Sequence, residues 1–212
     1  MADHYFTPSP ESEHRQAFYS VVYRGHTLSF ETDSGVFSRF ALDKGTQILL
    51  DALPPMITGS VLDMGCGTGA LGVCLAKANP DVALTMVDVN ERAVTLARQN
   101  ASRNGVTAET MQSDGYQALL GRLFDMIVSN PPIRAGKRVI YQMFAEGARA
   151  LAQGGAMVLV IRKQQGAPSA KAYLQTLFAS VNIIARDAGY WVLRCENPIP
   201  GAAYDLQHEE SE

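Results

Sequence analysis

Two short strings carry groups at spacings that suit chemistry. The first is Val61-Leu62-Asp63-Met64-Gly65-Cys66-Gly67-Thr68-Gly69-Ala70-Leu71-Gly72, in which an apolar run leads into alternating glycines and then a helical pattern. Glycine permits a tight turn and close approach of a ligand to the backbone, and the helix start beyond it has free N–H groups. The second string is Ser129-Asn130-Pro131-Pro132-Ile133, an apolar run that ends in an amide and two prolines. Neither Pro131 nor Pro132 has an N–H, so the carbonyls of Asn130 and Pro131 are expected to be free of local donors, in a stiff turn that offers acceptors.

The glycine string admits two ligands. Gly67-Thr68-Gly69-Ala70-Leu71-Gly72 satisfies the dinucleotide fingerprint, and Asp88 follows at the spacing of a ribose-binding acid, so NAD is one reading. Against it stands Asp63, two residues before the first glycine, where a carboxylate would repel a pyrophosphate. An acid there favours a cationic ligand instead, held directly or through water.

The elements that must position these strings alternate along the chain. Phe18 to Tyr23 and Thr27 to Glu31 form a hairpin around Arg24-Gly25-His26, and Leu42 to Leu53 is a helix stopped by Pro54-Pro55. Strands are expected at 60–64, 82–87, 107–111, 124–129 and 156–161, and helices at 70–78, 91–103, 116–120, 138–151 and 169–178. Strands separated by helices imply a doubly wound α/β fold with a mostly parallel sheet, seven-stranded when the last two runs are counted. Those runs, Val181 to Arg186 and Gly189 to Cys195, are too close in sequence for a parallel crossover, so the sheet ends in an antiparallel hairpin, which argues against a plain dinucleotide-binding fold. Residues 1–16 and 197–212 are expected to fray around a single domain of 17–196, divided into hairpin and helix (17–55) and core (56–196).

Asp63-x-Gly65-x-Gly67-x-Gly69 resembles motif I of the class I S-adenosylmethionine-dependent methyltransferases, and Val87-Asp88-Val89-Asn90 resembles their motif II. The resemblance implies S-adenosylmethionine as cofactor. Gly65, Cys66, Gly67 and Gly69 would line its methionine part, Asp88 with Val89 its ribose, and Asp114-Gly115, after the third strand of the core, its adenine. Asn130-Pro131-Pro132 is similar to motif IV of the amino-methyltransferases, in which the amide oxygen and the first proline carbonyl accept from a substrate amine and the amide also borders the cofactor. An exocyclic amine is a poor nucleophile because its lone pair is delocalised, and two acceptors on its hydrogens aim that pair at the methyl. Ile133 departs from the usual aromatic, a stacking role that Phe37 or Phe40 is placed to fill. Ser129 to Lys137 and the string from Gly35 to Leu50, which contains Thr46, resemble the small-subunit ribosomal RNA guanine-N2 methyltransferases, of the "methyltransferase small" type, over about residues 18 to 195. This chain would correspond to their catalytic half. The implied substrate is guanine N2 of ribosomal or other RNA, with Phe37, Arg39, Ile133, Arg134 and Lys137 as substrate contacts. Lys44, Arg138, Arg162 and Lys163 join Arg39, Arg134 and Lys137 as basic residues suited to phosphate. Adenine N6 and a protein glutamine amide remain alternatives, because Asn-Pro-Pro serves those amines too, and a cofactor-binding RNA chaperone without turnover is disfavoured by the intact Asn130.

Composition narrows the classes further. The chain has 212 residues, 47% hydrophobic, with 18 Lys and Arg against 21 Asp and Glu, so bulk positive charge is not its means of binding nucleic acid. No run reaches the roughly 18 apolar residues of a membrane span, and residues 1–20 lack the apolar stretch of a signal peptide, which predicts a cytoplasmic protein. Three cysteines and four histidines at scattered positions favour neither a disulfide framework nor a metal site.

Overall fold

The computed structural model describes residues 15–36 and 41–201. β1 (Ala17–Tyr23) and β2 (His26–Thr32) form the first hairpin, and α1 (Lys44–Ala52) follows. Then come β3 (Gly59–Met64), α2 (Ala70–Ala78), β4 (Val82–Asp88), α3 (Glu91–Arg103), β5 (Ala108–Gln112), β6 (Phe124–Ser129), α4 (Lys137–Arg149), β7 (Leu151–Arg162), α5 (Ala167–Leu177), β8 (Phe178–Asp187) and β9 (Tyr190–Pro198). The seven-stranded sheet has the order β5-β4-β3-β6-β7-β9-β8. Its first five strands pair in parallel, and β9 is antiparallel to both of its neighbours. The fold is the expected mostly parallel, doubly wound sheet with an antiparallel C-terminal end and a separate N-terminal two-stranded sheet.

Side-chain alternation divides the core in two. Val61, Leu84, Met86, Val128, Val158 and Val160 face one way, toward the hairpin and α1, α2 and α3. Leu62, Val87, Ile127, Met157, Leu159 and Ile161 face the other, toward α4 and α5. Both faces of the central strands are therefore buried, which is why their sequences read as continuous apolar runs rather than alternating ones.

Both tight turns have two residues at positive φ, Arg24-Gly25 in the first hairpin and Ala188-Gly189 in the last, matching the twist of the strands they join. One boundary differs. The expected helix to Leu151 ends at Arg149, and β7 starts at Leu151, pairing with Phe124 ahead of an irregularity and then the regular register from Ala156. Gly154 has φ +78, and a Cβ on Gly155 would meet the Phe124 carbonyl at 2.9 Å, so two glycines let the chain kink there and the strand begin early. The segments expected to fray fall mostly outside the described residues; β9 continues through Asn197 to Pro198, and the Ile199 N–H donates to the Leu177 carbonyl.

The hairpin is held by side chains rather than by the main sheet. Asn104, the C-cap of α3, accepts from Ser29 N and donates to Ser29 O, both at 2.9 Å, and Asn100 within the helix makes the same pair with Glu31, both at 2.8 Å. Asn100 also donates to the carbonyl of Thr68, so one buried amide ties the hairpin to the glycine loop. At the far end Arg24 donates to the carbonyls of Leu53, Pro54 and Pro55, where α1 stops.

Candidate active site

β3 and β6 are neighbours, and the chain winds away from them to opposite ends of the sheet, which makes their carboxyl ends the crevice where open α/β sheets bind ligands. Both strings singled out in the sequence end there. Ser129 donates to the Met64 carbonyl at 2.7 Å and pins the two strand ends together. The crevice opens into a cavity of about 540 Å³.

The glycine loop turns at once after β3. Gly65 N and Cys66 N both donate to Val87 O, and Gly69 N donates to Cys66 O. Gly65, Gly67 and Gly69 have φ of +70, +55 and +78, where a side chain is strained. Their surroundings differ. A Cβ on Gly65 or Gly67 would meet nothing within 4 Å, since those backbones face the cavity, whereas on Gly69 it would strike Ala97 at 3.0 Å. Gly72 is likewise needed for packing, because a Cβ there would come within 3.0 Å of Asp63.

Asp63 is buried at the end of β3 and accepts from Gly72 N at 2.8 Å, so it anchors the start of α2 while bordering the cavity. Burial pushes its carboxyl up to about 7, opposed by the Gly72 N–H and aided by the nearby Asp88. Asp88, at the end of β4, accepts from Gly67 N and Asn90 N, both at 2.9 Å. Burial raises its pKa too, against those backbone donors. Asp43, Asp114 and Glu146 also line the cavity, and among its described lining residues there is no Lys or Arg. Five carboxyl groups without a counter-charge repel a pyrophosphate and favour a cation.

Asn130 follows β6 directly. Its amide Nδ2 donates to Asp43 Oδ2 at 2.9 Å and Thr46 Oγ1 at 3.1 Å, leaving Oδ1, which has no partner among the described residues, as the other end of a side chain that lines the cavity. The following turn corrects one expectation. Pro132, at φ −75 and ψ 78, closes a γ-turn in which Ile133 N donates to Pro131 O at 2.9 Å, so that carbonyl keeps only one lone pair for a ligand.

The cavity thus brings together Thr46, Asp63, Gly65, Cys66, Gly67, Asp88, Val89, Asp114, Gly115, Asn130, Pro131 and Pro132. It does not include Gly69, which is buried in packing. Ile133 and Lys137 line a separate hollow between α4 and α5, and exposed Arg134 lines neither. Phe37, Arg39 and Phe40 lie outside the described residues. Sequence reasoning missed Glu146 and Tyr19, and it included Asp43 only within the string 42–50, with no role of its own. Asp43 carries a visible signal as the N-cap of α1, accepting from Thr46 N. Tyr19 sits on the buried face of β1 and borders the cavity, and its hydroxyl, close to Thr68, has no hydrogen bond of good geometry among the described residues. Among the described residues no three His, Cys, Asp or Glu converge as metal ligands, and no helix is long and apolar enough to cross a membrane.

Known proteins are similar to this chain. YbxB of Bacillus subtilis (strain 168) is 38% identical over 199 residues, 92% of this chain and 99% of that protein. Ribosomal RNA small subunit methyltransferase C of Citrobacter koseri is 46% identical over 118 residues, which is 56% of this chain but 34% of the enzyme. The structure of the T. thermophilus 16S rRNA N2 G1207 methyltransferase (RsmC) in complex with AdoMet and guanosine superposes with a TM-score of 0.77 at 27% identity, over 89% of this chain and 52% of that one. This chain therefore spans about a third to a half of the length of those two methyltransferases. Residues 27–194 match the methyltransferase small domain, and the chain belongs to that family.

Proposed function

We propose that the domain transfers the methyl group of S-adenosylmethionine to an exocyclic amine, guanine N2 of ribosomal RNA. The observation that carries the reading is Asn130, held by its amide nitrogen so that its oxygen is presented at the edge of an acid-lined cavity.

The residues present fit the cofactor. Gly65 and Gly67 form a cradle that any side chain would fill. The buried hydroxyl of Tyr19 is a donor for a carboxylate, while the acids suit an ammonium and a sulfonium. Asp63 and the loop would hold the methionine part, Asp88 the ribose hydroxyls, and Asp114 the adenine amino group. When bound, S-adenosylmethionine supplies an electrophilic methyl on a positively charged sulfur.

The chain's own groups then act on the amine. Asn130 Oδ1 and the remaining lone pair of Pro131 O accept its two hydrogens, which turns the nitrogen lone pair toward the cofactor and favours a tetrahedral nitrogen. As the new N–C bond forms and the methyl–sulfur bond breaks, its electron pair staying on the sulfur of a neutral thioether, the nitrogen gains positive charge, which these oxygens stabilise, and its surplus proton leaves to solvent. Exposed Arg134, Lys137 and Arg138 directly follow the turn, and Arg162 ends β7, with Lys163 after it, at the same end of the sheet. These five are placed to meet phosphates of an RNA whose target base is unstacked. Such a substrate puts the reaction in the cytoplasm.

The deciding experiment incubates the protein with methyl-labelled S-adenosylmethionine and small ribosomal subunits, free ribosomal RNA and ribosomal proteins, followed by mass mapping. N2-methylguanosine in RNA is the expected product; label in adenine or in glutamine would overturn the substrate, and no label in any of them would overturn the activity.

A further inference from the structure

Asn130 presents a useful acceptor only if its amide is the right way round. An Asn side chain has two ends of nearly the same shape, an acceptor oxygen and a donor NH₂, and rotation by half a turn exchanges them. We propose that Asp43 is the positioning residue that fixes this orientation, resting on the amine-methylating reading given above.

Asp43 stands at the N-cap of α1, 87 residues from Asn130 in sequence. Its Oδ2 accepts twice, from Thr46 N at 3.1 Å and from Asn130 Nδ2 at 2.9 Å. An ionised carboxylate can only accept, so it admits the NH₂ end of Asn130 and rejects the oxygen. Thr46 Oγ1 alone would not decide, because a hydroxyl donates as well as accepts. The position of the carboxylate is itself fixed. A Cβ on Gly45 would come within 2.9 Å of Asp43 Oδ2 and 3.0 Å of the Tyr190 ring, so glycine leaves the space that lets helix, carboxylate and β9 come together. The adjacent Lys44 pairs with Asp187 at 3.4 Å. A negative charge on the NH₂ end also polarises the amide, so its oxygen becomes a stronger acceptor for the hydrogens of an amine that is gaining positive charge.

Asp43→Ser separates this role from helix capping, because Ser caps as well as Asp but its hydroxyl, like that of Thr46, donates as well as accepts and so imposes no orientation on its neighbour. The expected result is an unchanged melting temperature and single-turnover transfer at saturating S-adenosylmethionine lowered by roughly 10- to 100-fold, at or below the cost of removing one preorganised polar group. A substrate-independent arm uses ¹⁵N NMR of the full chain, with the Asn130 side-chain resonances identified by their loss in Asn130→Ala. Those resonances should shift, and their proton exchange should quicken, in Asp43→Ser.

Wild-type transfer rates in Asp43→Ser, a rate loss that only tracks a lowered melting temperature, or unmoved Asn130 resonances would each overturn the assignment. Absence of transfer by the wild-type protein would instead overturn the activity reading, and the resonance arm would still decide whether Asp43 orients the amide.

Discussion

The two turns that meet at the crevice bind by different means. The loop after β3 works through its backbone: Gly65 and Gly67 expose peptide groups to the cavity, and the chain path alone sets their direction. The turn after β6 works through one side chain, and that side chain depends on partners 84 and 87 residues away, Thr46 and Asp43. A backbone site is damaged by adding atoms, and a side-chain site by removing them. The first tolerates changes in its surroundings and hardly any in itself; the second loses function when its supports change.

The largest effect should come from adding atoms to the loop. Gly67→Val places a branched side chain in the cavity at φ +55, so calorimetric titration should show S-adenosylmethionine binding lost, while circular dichroism shows the fold kept. Gly69→Val is the internal contrast, since its Cβ strikes Ala97 and should lower the melting temperature first.

Next is removal at the second turn. Asn130→Ala should slow single-turnover transfer by about 10²- to 10³-fold and leave cofactor affinity nearly unchanged. A variant that melts early yet transfers normally would make Asn130 a structural residue. Asp88→Ala falls between the two regions, because Asp88 holds Gly67 N as well as facing the cavity. Its cofactor affinity should drop by roughly 10- to 100-fold in the same titration.

A pH series tests Asp63. Its folded pKa of about 7 lies above the ordinary 3.8, so the folded protein binds that proton more tightly than the unfolded chain does. Stability of the free protein should therefore be fully present below the lower value and fall as pH rises through the window between them, by at most about 1.4 kcal/mol per pH unit. Urea melts of wild type and Asp63→Asn should differ in this slope; equal slopes would show that burial does not hold the proton. The smallest effect is expected from Tyr19→Phe, which removes one hydroxyl and should weaken cofactor binding by about three- to tenfold with little change in melting.

Most of the fold was legible because strands buried on both faces must be apolar throughout and helices between them must carry a stripe, so the parallel core from β3 to β6 announces itself. The start of β7 was not legible. Residues 150–155 look like a helix end and a glycine linker, and only pairing with Phe124 makes Leu151 part of a strand. The site divides in the same way. Asp63, Asp88 and Asn130 stand beside recognisable turns and could be picked out one at a time. Asp43 and Glu146 lie in helical segments whose patterns explain them without a ligand, and Tyr19 fits a strand equally well. What makes them part of the site is the sheet order, which the local pattern does not contain. Pro131 shows the reverse case: two prolines correctly implied a stiff turn, but the N–H that reaches back to its carbonyl belongs to the residue after them.

Asn100 and Asn104 stand in for a third strand beside β2, and this closes an edge that another molecule would otherwise be free to extend. Exposed edges are commonly protected by lysine, proline or a bulge within the strand itself. Here the protection is supplied from a neighbouring helix, by two amides one turn apart. β2 is thereby relieved of guarding its own edge, and its residues can serve its inner face, where Leu28 and Phe30 are fully buried.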